Sequence, residues 1–296
     1  TLFRSGITTV LDAVAIGDVR DGGDRLENLE KMINAVEETQ KRGLNRAEHR
    51  LHLRCELPHH TTLPLFEKLV GREPVSLVSL MDHSPGQRQF ANIEKYREYY
   101  QGKYALNDAE MARYEEEQLQ LAAQWSQPNR LSIAAMCRDR NIALASHDDA
   151  THDHVRESHQ LGSVIAEFPT TFEAAEASRQ HGMNVLMGAP NIVRGGSHSG
   201  NVAASKLAFL GLLDILSSDY YPASLLDAAF RVADDESNSF TLPQAIRLVT
   251  KNPASALNLH DRGEIAEGKR ADLVLAHRKG EHVHIDHVWR QGKRVF

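Results

Sequence analysis

The chain has 296 residues, 41% hydrophobic and 25% charged, with a formal net charge of −6 and a pI near 6.2. That balance excludes a basic field for nucleic acid, and no apolar run approaches the ~18 residues of a membrane span. Its two cysteines, Cys55 and Cys137, offer no disulfide framework and point to a cytoplasmic protein.

Apolar, β-rich runs alternate with helix-period stretches along most of the chain, the pattern of βαβ units around a parallel sheet. Strands are predicted at residues 7–11, 49–56, 74–81, 142–146, 164–168, 185–188 and 214–217. Between them, residues 26–42 carry Leu29, Met32, Ile33 and Val36 at helical spacing. Asn107 with Glu110 forms a capping-box pattern for a charged helix running to about residue 124. Further helices are expected at 171–181, closed by Gly182, and at 203–211 and 222–232. After Pro253 the pattern turns to short strands and turns: two strands within 261–276, then 282–289 and 293–296 around Gly292.

The fold class expected is therefore α/β, a TIM-like (β/α)8 barrel over residues 1–255 with a small β unit at 256–296. Seven strands are one short of closure, and the chain opens abruptly at Thr1. The expectation is a barrel truncated at its N-terminus, its first strand lying ahead of Thr1.

Three predicted strands end in metal-ligand residues: Val75 to His83, Asn141 to Asp149 and Leu213 to Asp219. A fourth, Arg50 to Glu56, ends in a carboxylate. Carboxyl ends of barrel strands face one cavity, so Glu56, His83, His147 and Asp219 are expected to converge there as ligands of a divalent metal. A count of 16 histidines adds mild support. Asp148 and Asp149 follow His147 directly; they are expected either to hold a ligand histidine in place or to cap the next helix.

Two segments suit an anion. Gly188-Ala-Pro-Asn-Ile-Val-Arg-Gly-Gly-Ser-His-Ser-Gly-Asn201 leads into a helix, and its glycines let backbone N–H groups approach a phosphate. Arg194 could add a two-pronged clamp, with Asn191, Ser197 and His198 as further contacts. No Gly-Lys-Ser/Thr closes the segment, so it is not a Walker loop. Ser84-Pro-Gly-Gln-Arg-Gln-Phe90 follows a ligand-bearing strand, which makes Arg88 a second clamp candidate and residues 88–104 a possible lid.

The tail from Asn252-Pro-Ala through Asp261-Arg-Gly-Glu-Ile-Ala-Glu-Gly-Lys-Arg-Ala-Asp-Leu-Val274 resembles the closing β-sandwich of the amidohydrolase superfamily. Ser5-Gly-Ile-Thr-Thr-Val-Leu-Asp12 resembles that superfamily's second barrel strand. The segments around His83, His147, residues 187–201 and Asp219 resemble one branch, which acts in bacterial phosphonate use and hydrolyses a ribose 5-triphosphate to the 5-phosphate and diphosphate. The resemblance implies two divalent ions, zinc or manganese, with Glu56 as the bridging carboxylate and Asp219 as both ligand and proton acceptor. It also implies a small-molecule triphosphate substrate, with a homo-oligomer as an open possibility. The superfamily's His-x-His should precede Thr1; His152-Asp-His154 and His282-Val-His284 are poor substitutes. A cyclic amidase, a deaminase and an inactive fragment remain the alternatives.

Overall fold

A computed structural model describes residues 2–17, 24–197, 200–280 and 282–296. Seven parallel strands follow chain order across one sheet: β1 (Thr9–Ile16), β2 (Glu48–Glu56), β3 (Val75–Met81), β4 (Ala143–His147), β5 (Ile165–Glu167), β6 (Asn184–Gly188) and β7 (Ile215–Ser217). Between and after them run α1 (Asp24–Lys41), α2 (Thr62–Leu69), α3 (Ile93–Tyr104), α4 (Asp108–Asp139), α5 (His152–Gln160) and α6 (Phe172–Gln180). The series continues with α7 (Ala189–Arg194), α8 (Ala204–Phe209), α9 (Ser224–Asp234), α10 (Leu242–Arg247) and α11 (Lys251–Ala256). The seven strands predicted for the barrel all exist, shifted by one to a few residues. The capping box at Asn107 and Glu110 is formed, but α4 runs on through Pro128 to Asp139. Among the described residues no helix is long and apolar enough to cross a membrane.

Period-two alternation explains how the sheet separates its two faces. On β2, Leu51, Leu53 and Cys55 are fully buried and pack with Ile133, Ala134 and Cys137 of α4. The intervening Arg50, His52, Arg54 and Glu56 point the other way. On that concave side Leu77, Ala143, Ala145, Ile165, Leu186 and Ile215 form one apolar cluster, joined by Leu11 of β1. A cluster touching both β1 and β7 requires the sheet to curl, as in a barrel, with those two strands at its edges. Above this plug lie polar side chains of the same strands, and above those the cavity.

The close of β1 depends on one glycine. Gly17 has φ +81°, and a Cβ there would lie 2.1 Å from Thr62 Oγ1 and 3.1 Å from the Glu56 carbonyl. Only glycine satisfies both constraints.

The C-terminal residues form an antiparallel sheet of β8 (Leu273–Lys279), β9 (His282–Arg290) and β10 (Lys293–Arg294) in the order β10-β9-β8. Only one of the two strands expected within 261–276 exists; the segment before Leu273 is irregular, held by side-chain salt links instead of a ladder. Arg262 donates to Glu48 Oε2 and Thr9 Oγ1, each at 2.9 Å, and Arg270 pairs with the same Glu48 carboxylate. Burial would raise the Glu48 carboxyl, but the bonds and charges of Arg270 and Arg262 overcome it and hold the group down at about 2.

Replacing Glu48 with Gln removes the charge that two arginines share between the appended sheet and β2. A half-buried network of this kind is expected to lose about 1–3 kcal/mol, read by urea denaturation at pH 7. Because the folded-state value is depressed, this stabilisation is complete above the ordinary glutamate range near 4.5 and is lost as pH falls toward about 2. Wild type is therefore expected to lose stability more steeply than Glu48→Gln across that window.

Candidate metal and phosphate site

The strand ends deliver their side chains to one place. His83 follows β3, His147 ends β4 and Asp148 is the next residue; one ligand atom from each lies within 4.8 Å of the other two. Both histidines are held from behind by carboxylates. His83 Nδ1 donates to Glu56 Oε2 at 2.6 Å, and the His83 backbone N–H donates to Glu56 Oε1 at 3.1 Å. His147 Nδ1 donates to Glu167 Oε2 at 2.8 Å. In the neutral rings this places the proton on Nδ1 and leaves the Nε2 lone pairs facing Asp148 Oδ2, 3.9 Å from His83 and 3.4 Å from His147. Two imidazole nitrogens, each oriented by a buried carboxylate, together with the Asp148 carboxylate fit a divalent cation of the zinc or manganese kind.

Glu167 is itself embedded in a relay. Ser79 Oγ donates to it at 2.8 Å, and His52 Nε2 lies 2.6 Å from Ser79 Oγ. Burial would raise the Glu167 carboxyl, yet His147, His52 and Arg54 hold it well below the usual carboxylate range. His52 is pushed down to about 4, mainly by burial, so it stays neutral at pH 7. His83 moves up: burial lowers it, but the Glu56 charge and hydrogen bond outweigh that. Asp219 also moves up through burial, opposed by the charge of Arg54.

A cavity of about 340 Å³ opens over this cluster, lined by His83, His147, Asp148 and Asp219 with Arg54, Asn191, Arg194, Ser197 and Tyr220 among its walls. Gly188 makes room for Asp219, since a Cβ on Gly188 would lie 3.2 Å from Asp219 Oδ2. Arg194 Nη1 donates to Tyr220 Oη at 2.8 Å across the rim, and Asn191 Oδ1 accepts from the Ala204 N–H at 2.9 Å. Three residues at the strand ends, Asp148 (φ +56°), Phe168 (φ +56°) and Asp219 (φ +49°), adopt left-handed backbone that only glycine takes without cost. A larger hollow of about 670 Å³ lies at the opposite end of β4–β6, beside Arg138, Asn184 and Lys251. It contains none of the converging groups, so the smaller cavity is the one with chemistry.

The structure redistributes several expected roles. Glu56 does not join the ligand cluster, because both of its oxygens are taken by His83. Asp148 belongs to the cluster itself and not merely behind it. Asp149 faces away from the cavity, buried against Arg88 and Ser158. Arg88 is not a wall of the cavity; it is 3% exposed and paired with Asp149 and Glu157, so its charge is consumed internally. Residues 88–104 are a short helical turn and α3, packed through Phe90, Tyr96 and Tyr100. The glycine-rich segment contains α7, and Gly195 ends that helix at φ +86°. His198 lies outside the described residues. His152 and His154 sit in the first turn of α5, and His282 and His284 lie on the appended sheet. Arg54 on the cavity wall and Glu167 behind His147 escaped the sequence argument. Each had a signal: Arg54 shares the period-two face that ends in Glu56, and Glu167 is a carboxylate one residue before the end of the strand predicted at 164–168.

Parallel strands, a helical outer layer and a histidine–carboxylate cluster at the strand ends are the architecture of metal-dependent hydrolase barrels. Comparison narrows the class: residues 6–296 match the amidohydrolase family, and the chain belongs to it. It is 89% identical over 295 residues to alpha-D-ribose 1-methylphosphonate 5-triphosphate diphosphatase of Escherichia coli (strain K12), spanning 100% of this chain and 78% of that protein. Among solved structures, dihydropyrimidinase from Brevibacillus agri NCHU1002 superposes with a TM-score of 0.54 at 11% identity, covering 99% of this chain and 78% of that one. A Xaa-Pro dipeptidase with bound methionine in its active site gives a TM-score of 0.54 at 14% identity, covering 99% and 76%. At such identities these two structures speak for the fold alone.

Replacing Glu167 with Gln leaves the shape but removes the charge that fixes the His147 tautomer. Zinc or manganese affinity is expected to drop by about 10- to 100-fold, read by metal titration calorimetry. Replacing Arg130 with Met takes from Asp82 its buried cationic partner and leaves Glu157 with Arg88 alone. The expected cost is about 3–5 kcal/mol, read by chemical denaturation.

Proposed function

We propose that this protein hydrolyses alpha-D-ribose 1-methylphosphonate 5-triphosphate to the 5-phosphate and diphosphate, as a metal-dependent enzyme of phosphonate use. The observation that carries the proposal is 89% identity across the whole chain to the diphosphatase of that name. The site's chemistry is consistent with it, since cation-holding groups and anion-binding donors share one cavity.

His83, His147 and Asp148 would hold the metal, with Asp219 as a further ligand and zinc or manganese as the ion; two ions are part of the proposal. The metal supplies Lewis acidity that polarises a phosphoryl oxygen and makes a nearby water more acidic. Asp219, on the cavity wall, takes the proton from the attacking water. The new bond forms between water oxygen and the α-phosphorus, and the bond to the diphosphate leaving group breaks. Arg194, backed by Tyr220, is placed at the rim to accept charge on the departing phosphates, while Asn191 and Ser197 line the path. Phe168, Pro169 and Met187 contribute apolar surface to the cavity lining. A phosphorylated sugar substrate and two unpaired cysteines agree with a cytoplasmic enzyme. Residues 256–296 are taken as one part of a composite β-sandwich.

The test is diphosphate release from the sugar triphosphate with manganese or zinc supplied and ATP as the competing substrate. Wild type is expected to release diphosphate from the sugar triphosphate preferentially. Asp219→Asn is expected to lose about 10²- to 10⁴-fold in kcat with little change in KM. Preference for ATP would change the substrate, and no release by metal-loaded protein would turn the search to cyclic amides and deaminase substrates.

A further inference from the structure

Arg54 stands at the floor of the cavity with a conflict built into it. Its Nη2 donates to His147 Nε2 at 3.0 Å, the nitrogen that the Glu167 bond leaves free for a cation. One lone pair serves one partner, so the guanidinium and a metal cannot both hold it. The Nε of Arg54 is buried without a hydrogen-bond partner among the described residues. Leaving a charged donor unsatisfied away from water is costly, and such a group in a cavity wall points to a ligand. The surroundings also explain why the charge is tolerated there, since Glu167 and Asp219 both lie near enough to feel it.

We propose that Arg54 is the anion-binding residue at the floor of the site: displaced from His147 when a cation binds, it turns its donors to the phosphate being attacked. Arg54 beside Asp219 and Arg194 at the rim then form two grips along one polyphosphate chain. The planar fork of a guanidinium suits two oxygens of one phosphoryl group. The ligand class is a phosphate ester or anhydride, and the assignment rests on the hydrolytic function proposed above. A purely structural arginine would predict the opposite sign for metal binding, which makes the two roles separable.

The experiment uses the full chain carrying Arg54→Met or Arg54→Lys. Manganese affinity is read from the free-ion paramagnetic resonance signal. Inorganic phosphate binding to the manganese-loaded protein is read by calorimetry, and KM against kcat with the sugar triphosphate. For Arg54→Met, manganese affinity is expected to be unchanged or tighter, while phosphate affinity falls roughly 10- to 100-fold and KM rises in step. Arg54→Lys keeps the charge but loses the fork; it is expected to keep manganese affinity and lose several-fold in phosphate affinity. If Arg54→Met does not fold, Arg54→Lys decides the matter by that same divergence. Phosphate affinity within about twofold of wild type, or manganese affinity falling as far as phosphate affinity, would overturn the assignment. Should wild type fail to hydrolyse the sugar triphosphate while phosphate binding still depends on Arg54, the grip stands and the substrate is wrong.

Discussion

Five charged side chains beneath the cavity depend on one another: Asp82, Arg88, Arg130, Asp149 and Glu157. Arg130 reaches Asp82 at 3.0 Å and also pairs with Glu157; Arg88 reaches Glu157 at 3.0 Å and also pairs with Asp149. Asp82, Arg88, Arg130 and Asp149 could not be buried alone, because isolated ions in a poorly polarisable interior cost several kcal/mol each. Together they tie the residue before His83 to the second residue after His147, and tie both to α4 and α5. The spacing of His83 and His147 is thus tied to a charge network whose members are not among the cavity's lining residues. Burial also spends Arg88 on this work: its guanidinium is pushed down to about 10 by burial and by Arg130, against the pull of Glu157 and Asp82.

Much of the barrel is legible in sequence because each strand must show an apolar face to the helices. Runs such as Val75 to Met81 carry that face whatever surrounds them. Strand ends are legible for the same reason, since a histidine or carboxylate closing an apolar run has only the cavity to enter. What the pattern could not say was which partner each polar end would choose. Glu56 and Asp148 both follow the strand-end rule, yet one grips His83 from behind and the other faces its Nε2. That choice is set by rotamer and strand offset, a matter of three-dimensional register. Arg88 shows the same limit: an arginine in a loop after a ligand strand suggests a substrate contact, but Asp149 and Glu157 come from other elements to neutralise it.

The irregular stretch before Leu273 shows a different limit. Its turn residues and apolar pairs read as a strand, but Arg262 and Arg270 hold it to β2 through Glu48 without a ladder. Local propensity loses there to long-range charge pairing. In α4, by contrast, the capping box at Asn107 and Glu110 is satisfied within four residues, so a local signal suffices. The prediction of its end failed because Pro128 and the polar stretch around it are accommodated in a helix buried through Ile133 and Cys137.

The left-handed backbone at Asp148, Phe168 and Asp219 sets a limit on how this protein can change. Each side chain there carries a conformational cost of about 1–2 kcal/mol that glycine would relieve. Two of the three are carboxylates facing the cavity. Random substitution screened for heat resistance would therefore enrich glycine at these positions, and the survivors would be sturdier barrels with an emptied mouth. A lineage released from its chemistry should record that release first at these strand ends, well before its core shows any drift.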